Sequence, residues 1–290
     1  MTIKDRLDVY EKLMRLDKPI GALLLMWPTL WALWLARGGM PQPDLLLIFL
    51  FGVILTRSAG CIVNDLADRN FDPHVERTRD RPLAARTVAP PEALALAAVL
   101  FLAAFALVLQ LNRLTVALSF AALAIAVAYP FLKRYFVFPQ AGLGVAFSFG
   151  VPMAFAAQLG QVAAPAWAVM AATFFWIIAY DTEYAMVDRD DDLKLGLKSS
   201  AILFGRHDVA LVMACHALFL AAMAWIGGWR ALGALYFLGL AVAAVLALQQ
   251  CRLVRERSRE GCFQAFHNNN WVGLAVFAGL ALDLHFRARA

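Results

Sequence analysis

Nine long apolar runs, each closed by proline, glycine or charge, constrain this 290-residue chain more than any other feature. They lie at roughly 20–36, 44–66, 91–110, 113–129, 139–159, 165–186, 208–227, 230–249 and 268–286. Each is 17 to 23 residues long, near the length a helix needs to cross ~30 Å of hydrocarbon. The expected fold is all-α: one polytopic membrane domain over residues 1–290, nine transmembrane helices around a central cavity. Composition agrees, with 62% hydrophobic and 16% charged residues and a mean hydropathy of +0.67, where a soluble domain has about half and a quarter. Very short turns, Leu111-Asn112-Arg113 and Gly228-Trp229-Arg230, make helical hairpins of 91–129 and 208–249.

The net charge of +5 could suggest a nucleic-acid partner, but its distribution makes it a topology signal. With the N-terminus inside, 20 of the 26 Lys and Arg fall in inside segments. Five fall outside, and one, Arg57, lies within a helix. That bias places the N-terminus in the cytoplasm and the C-terminus on the opposite side of nine helices. An eight-helix reading would disrupt the alternation. Residues 1–18 mix Asp5, Asp8, Glu11 and Asp17 with their Lys and Arg, unlike a cleaved signal or transit peptide.

In a chain built for a bilayer, two acidic clusters stand out. The first runs Asn64-Asp65-Leu66-Ala67-Asp68-Arg69-Asn70-Phe71-Asp72, and the second runs from Asp181 through Asp188 to Asp192. Carboxylates beside hydrocarbon are costly. Both clusters follow even-numbered helices, so both fall on the cytoplasmic side, and the chain reads as two related halves of helix, acidic loop and hairpin. Asn64, Asp68 and Asp72 are spaced i, i+4, i+8, and share a face if the helix continues; Asp65 lies off that face. Asp188 and Asp192 are likewise i, i+4. Stacked oxygen ligands on two facing helix ends can hold Mg²⁺, which binds through carboxylates and substrate phosphate. The alternative is a pair of solvated interfacial loops balanced by arginines, which two clusters in matching places make the weaker reading.

Cations lie close by. Arg77, Arg79 and Arg81 follow the first cluster, Lys194 and Lys198 the second, and Lys133-Arg134 the fourth helix; such groups recognise diphosphate. Arg57 lies seven residues before Asn64, on nearly the same helix face. It either pairs with Asp72 or Asp188, or binds the carboxylate of a second, small substrate. Cys61, Cys215, Cys251 and Cys262 have no metal spacing and read as free thiols. The five histidines have no ligand spacing either. Asn268-Asn269-Asn270 either caps the last helix or lines the cavity.

Taken together, Asn64-Asp-x-x-Asp68-x-x-x-Asp72 followed by Arg81-Pro82-Leu83 resembles the first signature of the UbiA family of membrane aromatic prenyltransferases. Tyr180-Asp181-Thr-x-Tyr184-Ala-x-x-Asp188-x-x-x-Asp192, then Lys194-x-Gly196-x-Lys198-Ser199, resembles the second. Within the family, Arg15-Leu-Asp17-Lys18-Pro19-Ile-Gly21, Trp27-Pro28-Thr29 and Tyr129-Pro130-Phe-x-Lys133-Arg134 are similar to members that prenylate 4-hydroxybenzoate in ubiquinone synthesis. One departure is Ala84-Ala85-Arg86-Thr87, where the family usually has a glycine.

The resemblance implies an integral protein of a bacterial cytoplasmic membrane with its active site at the cytoplasmic side. Its substrates would be a polyprenyl diphosphate and 4-hydroxybenzoate, its cofactor Mg²⁺, and its surroundings membrane lipid, with no nucleic acid. Asp68, Asp72, Asp188 and Asp192, with Asn64, would hold the metal and its diphosphate. Arg81, Lys133, Arg134 and Lys194 would neutralise the phosphates. Arg57 and Tyr129 would orient the acceptor. The group removing the ring proton is either an aspartate or the departing diphosphate. Homogentisate or dihydroxynaphthoate are rival acceptors. A cation-coupled transporter is the rival from another class, but such sites sit near the membrane midplane.

Overall fold

The computed structural model describes residues 2–288, without the side chains of Lys133 and Arg134. Helices make up the fold, and no strand occurs among the described residues. A short surface helix, α1 (Ile3–Met14), precedes α2 (Ile20–Arg37), α3 (Pro43–Asp68), α4 (Pro90–Val108) and α5 (Arg113–Tyr135). Next come α6 (Pro139–Ser148), α7 (Gly150–Leu159), α8 (Ala164–Val187), the short α9 (Arg189–Leu195) and α10 (Ser200–Phe204), then α11 (Asp208–Trp229), α12 (Ala234–Val254) and α13 (Arg259–Arg287).

Eight helical segments are long and apolar enough to cross a membrane. The ninth expected span, 268–286, lies within α13. That helix is present, but the span itself carries Asn268, Asn269, Asn270, Asp283 and His285, so composition alone does not mark it as a crossing. The chain is an integral membrane protein.

Local sequence explains the breaks. Proline opens α3, α4 and α6, where the missing N–H is harmless. Asn112 caps α5, accepting from Thr115 N at 3.0 Å, and its amide donates to Ala156 O at 2.7 Å, tying the hairpin turn to α7. The expected single helix 139–159 is two helices meeting at Phe149. Pro152 cannot donate to the carbonyl of Ser148, and its ring crowds that carbonyl.

The core lies between α2, α8, α11 and α13. Trp31, Trp176 and Phe219 stack there with centroids 5.2–5.7 Å apart. Trp31 Nε1 donates to Gly273 O and Trp176 Nε1 to Asn269 Oδ1. Backbones of α12 and α13 touch at Gly239 and Gly279, where a Cβ on Gly239 would lie 2.6 Å from Ala275 O. By contrast α4 and α5 turn Leu94, Val99, Leu114 and Val127 outwards, as lipid-facing helices do.

Candidate active site

A cavity of about 1490 Å³ runs through the bundle. Asn64, Asp68, Asp72, Asp188 and Asp192 all line it, as do Arg57, Arg81 and Tyr129. Its walls then continue along α4 and α5 through Phe101, Leu102, Phe105, Val108, Phe120 and Leu123. The 19 residues of α4 are about 28 Å long, so the apolar arm reaches far from the acidic mouth.

The first cluster departs from the expected single helix face. Helix α3 ends at Asp68, and Asp72 begins a short 3₁₀ turn, Asp72–His74. Pro73 explains the stop, because in a continuing helix its ring would clash with the carbonyl of Arg69. Asp72 nevertheless faces the same cavity as Asn64 and Asp68. Asn64 Nδ2 donates to Asp68 Oδ2 at 3.3 Å. Asp65, set aside by its position on the helix, is buried and accepts from Arg15 Nη2 at 2.7 Å and Arg81 Nη1 at 3.1 Å. Arg81 Nη1 also donates to Asp72 Oδ2 at 3.0 Å. Burial pushes the Asp72 carboxyl above the ordinary carboxylate range, against the pull of Arg81.

The second cluster is built at a joint. Helix α8 ends at Val187, Asp188 links it to α9, and Asp192 N donates to Asp188 O at 2.9 Å. Asp188 is paired by Arg77, which crosses from the first loop, also donates to the Tyr184 hydroxyl, and places its guanidinium 4.2 Å from the Tyr184 ring centroid. Burial works against the Arg77 charge, but Tyr184 and Asp188 raise its pKa above the ordinary arginine value. Arg77 was visible in sequence only as one of three loop arginines, and its role depends on a contact 111 residues away.

Among the cations, Arg81 sits between the carboxylates of the first cluster. Lys133 and Arg134 belong to α5, but their side chains lie outside the described residues. Lys194 is 76% exposed, pairs with Asp191 at 3.7 Å and is not part of the cavity wall; Lys198 is. Arg57 makes no ion pair among the described residues, and the two partners considered for it are held by Arg81 and Arg77. Its guanidinium carbon lies 5.4 Å from the Phe147 ring centroid. Gly21 is also close, and a Cβ there would come within 2.5 Å of Arg57 Nη2. Of the asparagine run, Asn268 and Asn270 line the cavity, and Asn269 is buried behind them, donating to Glu183 at 2.7 Å.

The wall supplies carboxylate and amide oxygens from both halves, the donor chemistry Mg²⁺ prefers. No three acidic, histidine or cysteine side chains form a closed metal cage among the described residues. The set fits an ion that completes its shell with substrate phosphate oxygens rather than one held by protein alone.

Residues 25–275 match the UbiA prenyltransferase family. A 4-hydroxybenzoate octaprenyltransferase from Nitrosospira multiformis is 62% identical over 288 residues, covering 99% of this chain and 99% of its own length. A 4-hydroxybenzoate octaprenyltransferase from Azoarcus sp. is 61% identical, over 98% of this chain and 99% of its own. Among solved structures, the apo form of a UbiA homologue from Aeropyrum pernix K1 superposes with a TM-score of 0.79 at 28% identity, covering 90% of this chain and 97% of that one. A UbiA homologue from Archaeoglobus fulgidus, bound to GPP and Mg²⁺, shares the fold with a TM-score of 0.67 at 18% identity, covering 93% and 99%.

Proposed function

The chain belongs to the UbiA prenyltransferase family, and from that premise we propose that it transfers a polyprenyl group from polyprenyl diphosphate to 4-hydroxybenzoate. Diphosphate is released, and the new bond forms at the ring carbon ortho to the hydroxyl, a step of ubiquinone synthesis. The observation that supports this most directly is a single cavity joining two carboxylate clusters, a set of arginines, one arginine without an ion-pair partner among the described residues, and a long apolar arm.

Asn64, Asp68, Asp72, Asp188 and Asp192 would hold Mg²⁺ together with the diphosphate. When bound, Mg²⁺ supplies Lewis-acid stabilisation of the leaving group's negative charge. Arg81 adds positive charge at that end, Lys133 and Arg134 would add more as the family resemblance implies, and Lys194, outside the wall, would act only at a distance. Arg77 and Arg81 already stand among the carboxylates, so the positive field is in place before the diphosphate arrives. The allylic C–O bond breaks, and both its electrons leave with the diphosphate. The apolar arm of α4 and α5 holds the isoprenoid chain and keeps water from the allylic cation. The ring carbon ortho to the hydroxyl attacks the cation, and the ring proton passes to an aspartate or to diphosphate. Arg57 binds the acceptor's carboxylate and Tyr129 helps orient its ring.

Nine crossings with the N-terminus in the cytoplasm put the acidic mouth on the cytoplasmic side of a bacterial inner membrane, following the charge bias. The test of function is a product assay on purified protein with a polyprenyl diphosphate, Mg²⁺ and a panel of aromatic acids. Prenylated 4-hydroxybenzoate should dominate and should vanish on chelation. Preference for homogentisate or dihydroxynaphthoate would reject the acceptor, and full turnover in excess chelator would reject the metal.

A further inference from the structure

Two buried polar groups of the cavity have no hydrogen-bond partner among the described residues: Arg57 Nε and the Tyr180 hydroxyl. Both side chains line the cavity, and Tyr180 is only 2% exposed. Buried polar groups are almost always paired, so each exception asks for an explanation. Here the two exceptions line one cavity: Arg57 packs on Phe147 of α6, and α6 packs along α8, which carries Tyr180.

Both groups are also held in place. Phe147 and Gly21 lie close to the Arg57 guanidinium. The Tyr180 ring is fixed by edge contacts with Trp176, at 5.3 Å and 85°, and Phe266, at 6.1 Å and 67°. A guanidinium N–H can only donate, and a phenol O–H donates readily. Two fixed donors in the wall of one cavity suit a ligand group that only accepts, namely an anion. The diphosphate end of the cavity has its own cations in Arg77 and Arg81. The remaining anion of the two substrates is the acceptor's carboxylate, and a carboxylate taken out of water must be hydrogen-bonded as well as charge-paired.

We infer that the Tyr180 hydroxyl donates to the acceptor's carboxylate beside Arg57, so that an Arg–Tyr pair selects a benzoate over a neutral phenol. This rests on the reading of Arg57 as the carboxylate's partner. Tyr180 is then a specificity residue of the acceptor site, and Tyr180→Phe removes one oxygen without disturbing the ring's packing.

The experiment measures kcat and KM on purified full-length protein for wild type, Tyr180→Phe and Arg57→Ala. Substrates are polyprenyl diphosphate, 4-hydroxybenzoate and its neutral isostere 4-hydroxybenzamide. Tyr180→Phe should raise KM for 4-hydroxybenzoate about tenfold or more and reduce the preference for benzoate over benzamide by a similar factor. KM for the prenyl diphosphate should stay within about twofold, and the melting temperature should not fall. An unchanged benzoate preference, or a loss confined to the prenyl diphosphate, would overturn the assignment. Arg57→Ala separates the two layers. If it abolishes the preference and Tyr180→Phe does not, only the Tyr180 assignment fails; if it leaves the preference intact, the reading of Arg57 fails.

Discussion

The two acidic clusters look alike in sequence, but they are neutralised differently. The first is balanced from its own half: Arg15 and Arg81 share Asp65, and Arg81 reaches Asp72. The second borrows from the first, because the cation on Asp188 is Arg77, which belongs to the loop after α3. Among the described residues the second half's own arginines pair with carboxylates other than Asp188. Arg189 and Arg257 clamp the buried Asp208 at the start of α11, and Arg259 holds Asp191. The loop after α3 is therefore the organiser of the whole mouth. The halves are related in outline, but they are not interchangeable.

That asymmetry can be broken by substitution. Arg81→Ala removes the cation facing Asp72 in a setting where Arg81 is 16% and Asp72 7% exposed. Leaving a buried charge unpaired costs about 3–5 kcal/mol, so this variant should unfold well below wild type in detergent. Arg77→Ala should lose less stability, because Asp188 and Arg77 are 11% and 24% exposed, but it should still lower turnover, since it unties the halves. Equal melting temperatures for Arg81→Ala and wild type would contradict the first part. A smaller effect sharpens the contrast within the second loop. Lys198 lines the cavity and Lys194 does not. Lys198→Ala should weaken prenyl diphosphate binding several-fold, whereas Lys194→Ala should change it little, as an exposed pair contributes at most about 1 kcal/mol. The reverse order in KM would overturn this placement.

The smallest effect concerns the turn that closes the organising loop. Arg86 has φ 57°, the left-handed region, while Thr87 N donates to Pro82 O at 2.9 Å. A side chain there costs roughly 1 kcal/mol relative to glycine. Arg86→Gly should therefore raise stability by about that much and leave turnover unchanged. A fall in stability would show that the Arg86 side chain does more than occupy the turn.

Helix positions were legible from apolar runs because lipid allows few alternatives, and the acidic clusters were legible because charges beside hydrocarbon are rare. Two breaks are marked in the sequence by proline. Pro73 marks the end of the helix before Asp72, and Pro152 marks the break in 139–159. Other features were not readable at all. The Arg77–Asp188 pair, the burial of Asp65 against α1, and the meeting of Arg57 with Phe147 each join residues 50 to 111 positions apart or packed from different helices. Local spacing holds no trace of them. The asparagine run shows the same limit: one helical face divides it, with Asn268 and Asn270 towards the cavity and Asn269 towards Glu183.

The central claim is that both clusters act on one diphosphate across one cavity. A double-mutant cycle tests it most directly. kcat/KM would be measured for wild type, Asp72→Asn, Asp188→Asn and the double variant at saturating Mg²⁺. Residues that act as a unit are grossly non-additive. Each single variant should lose about a hundredfold or more, and the double variant should be scarcely worse than the poorer single one. Losses that simply multiply, so that the double variant falls by the product of the two, would mean that the clusters work independently and would contradict the account.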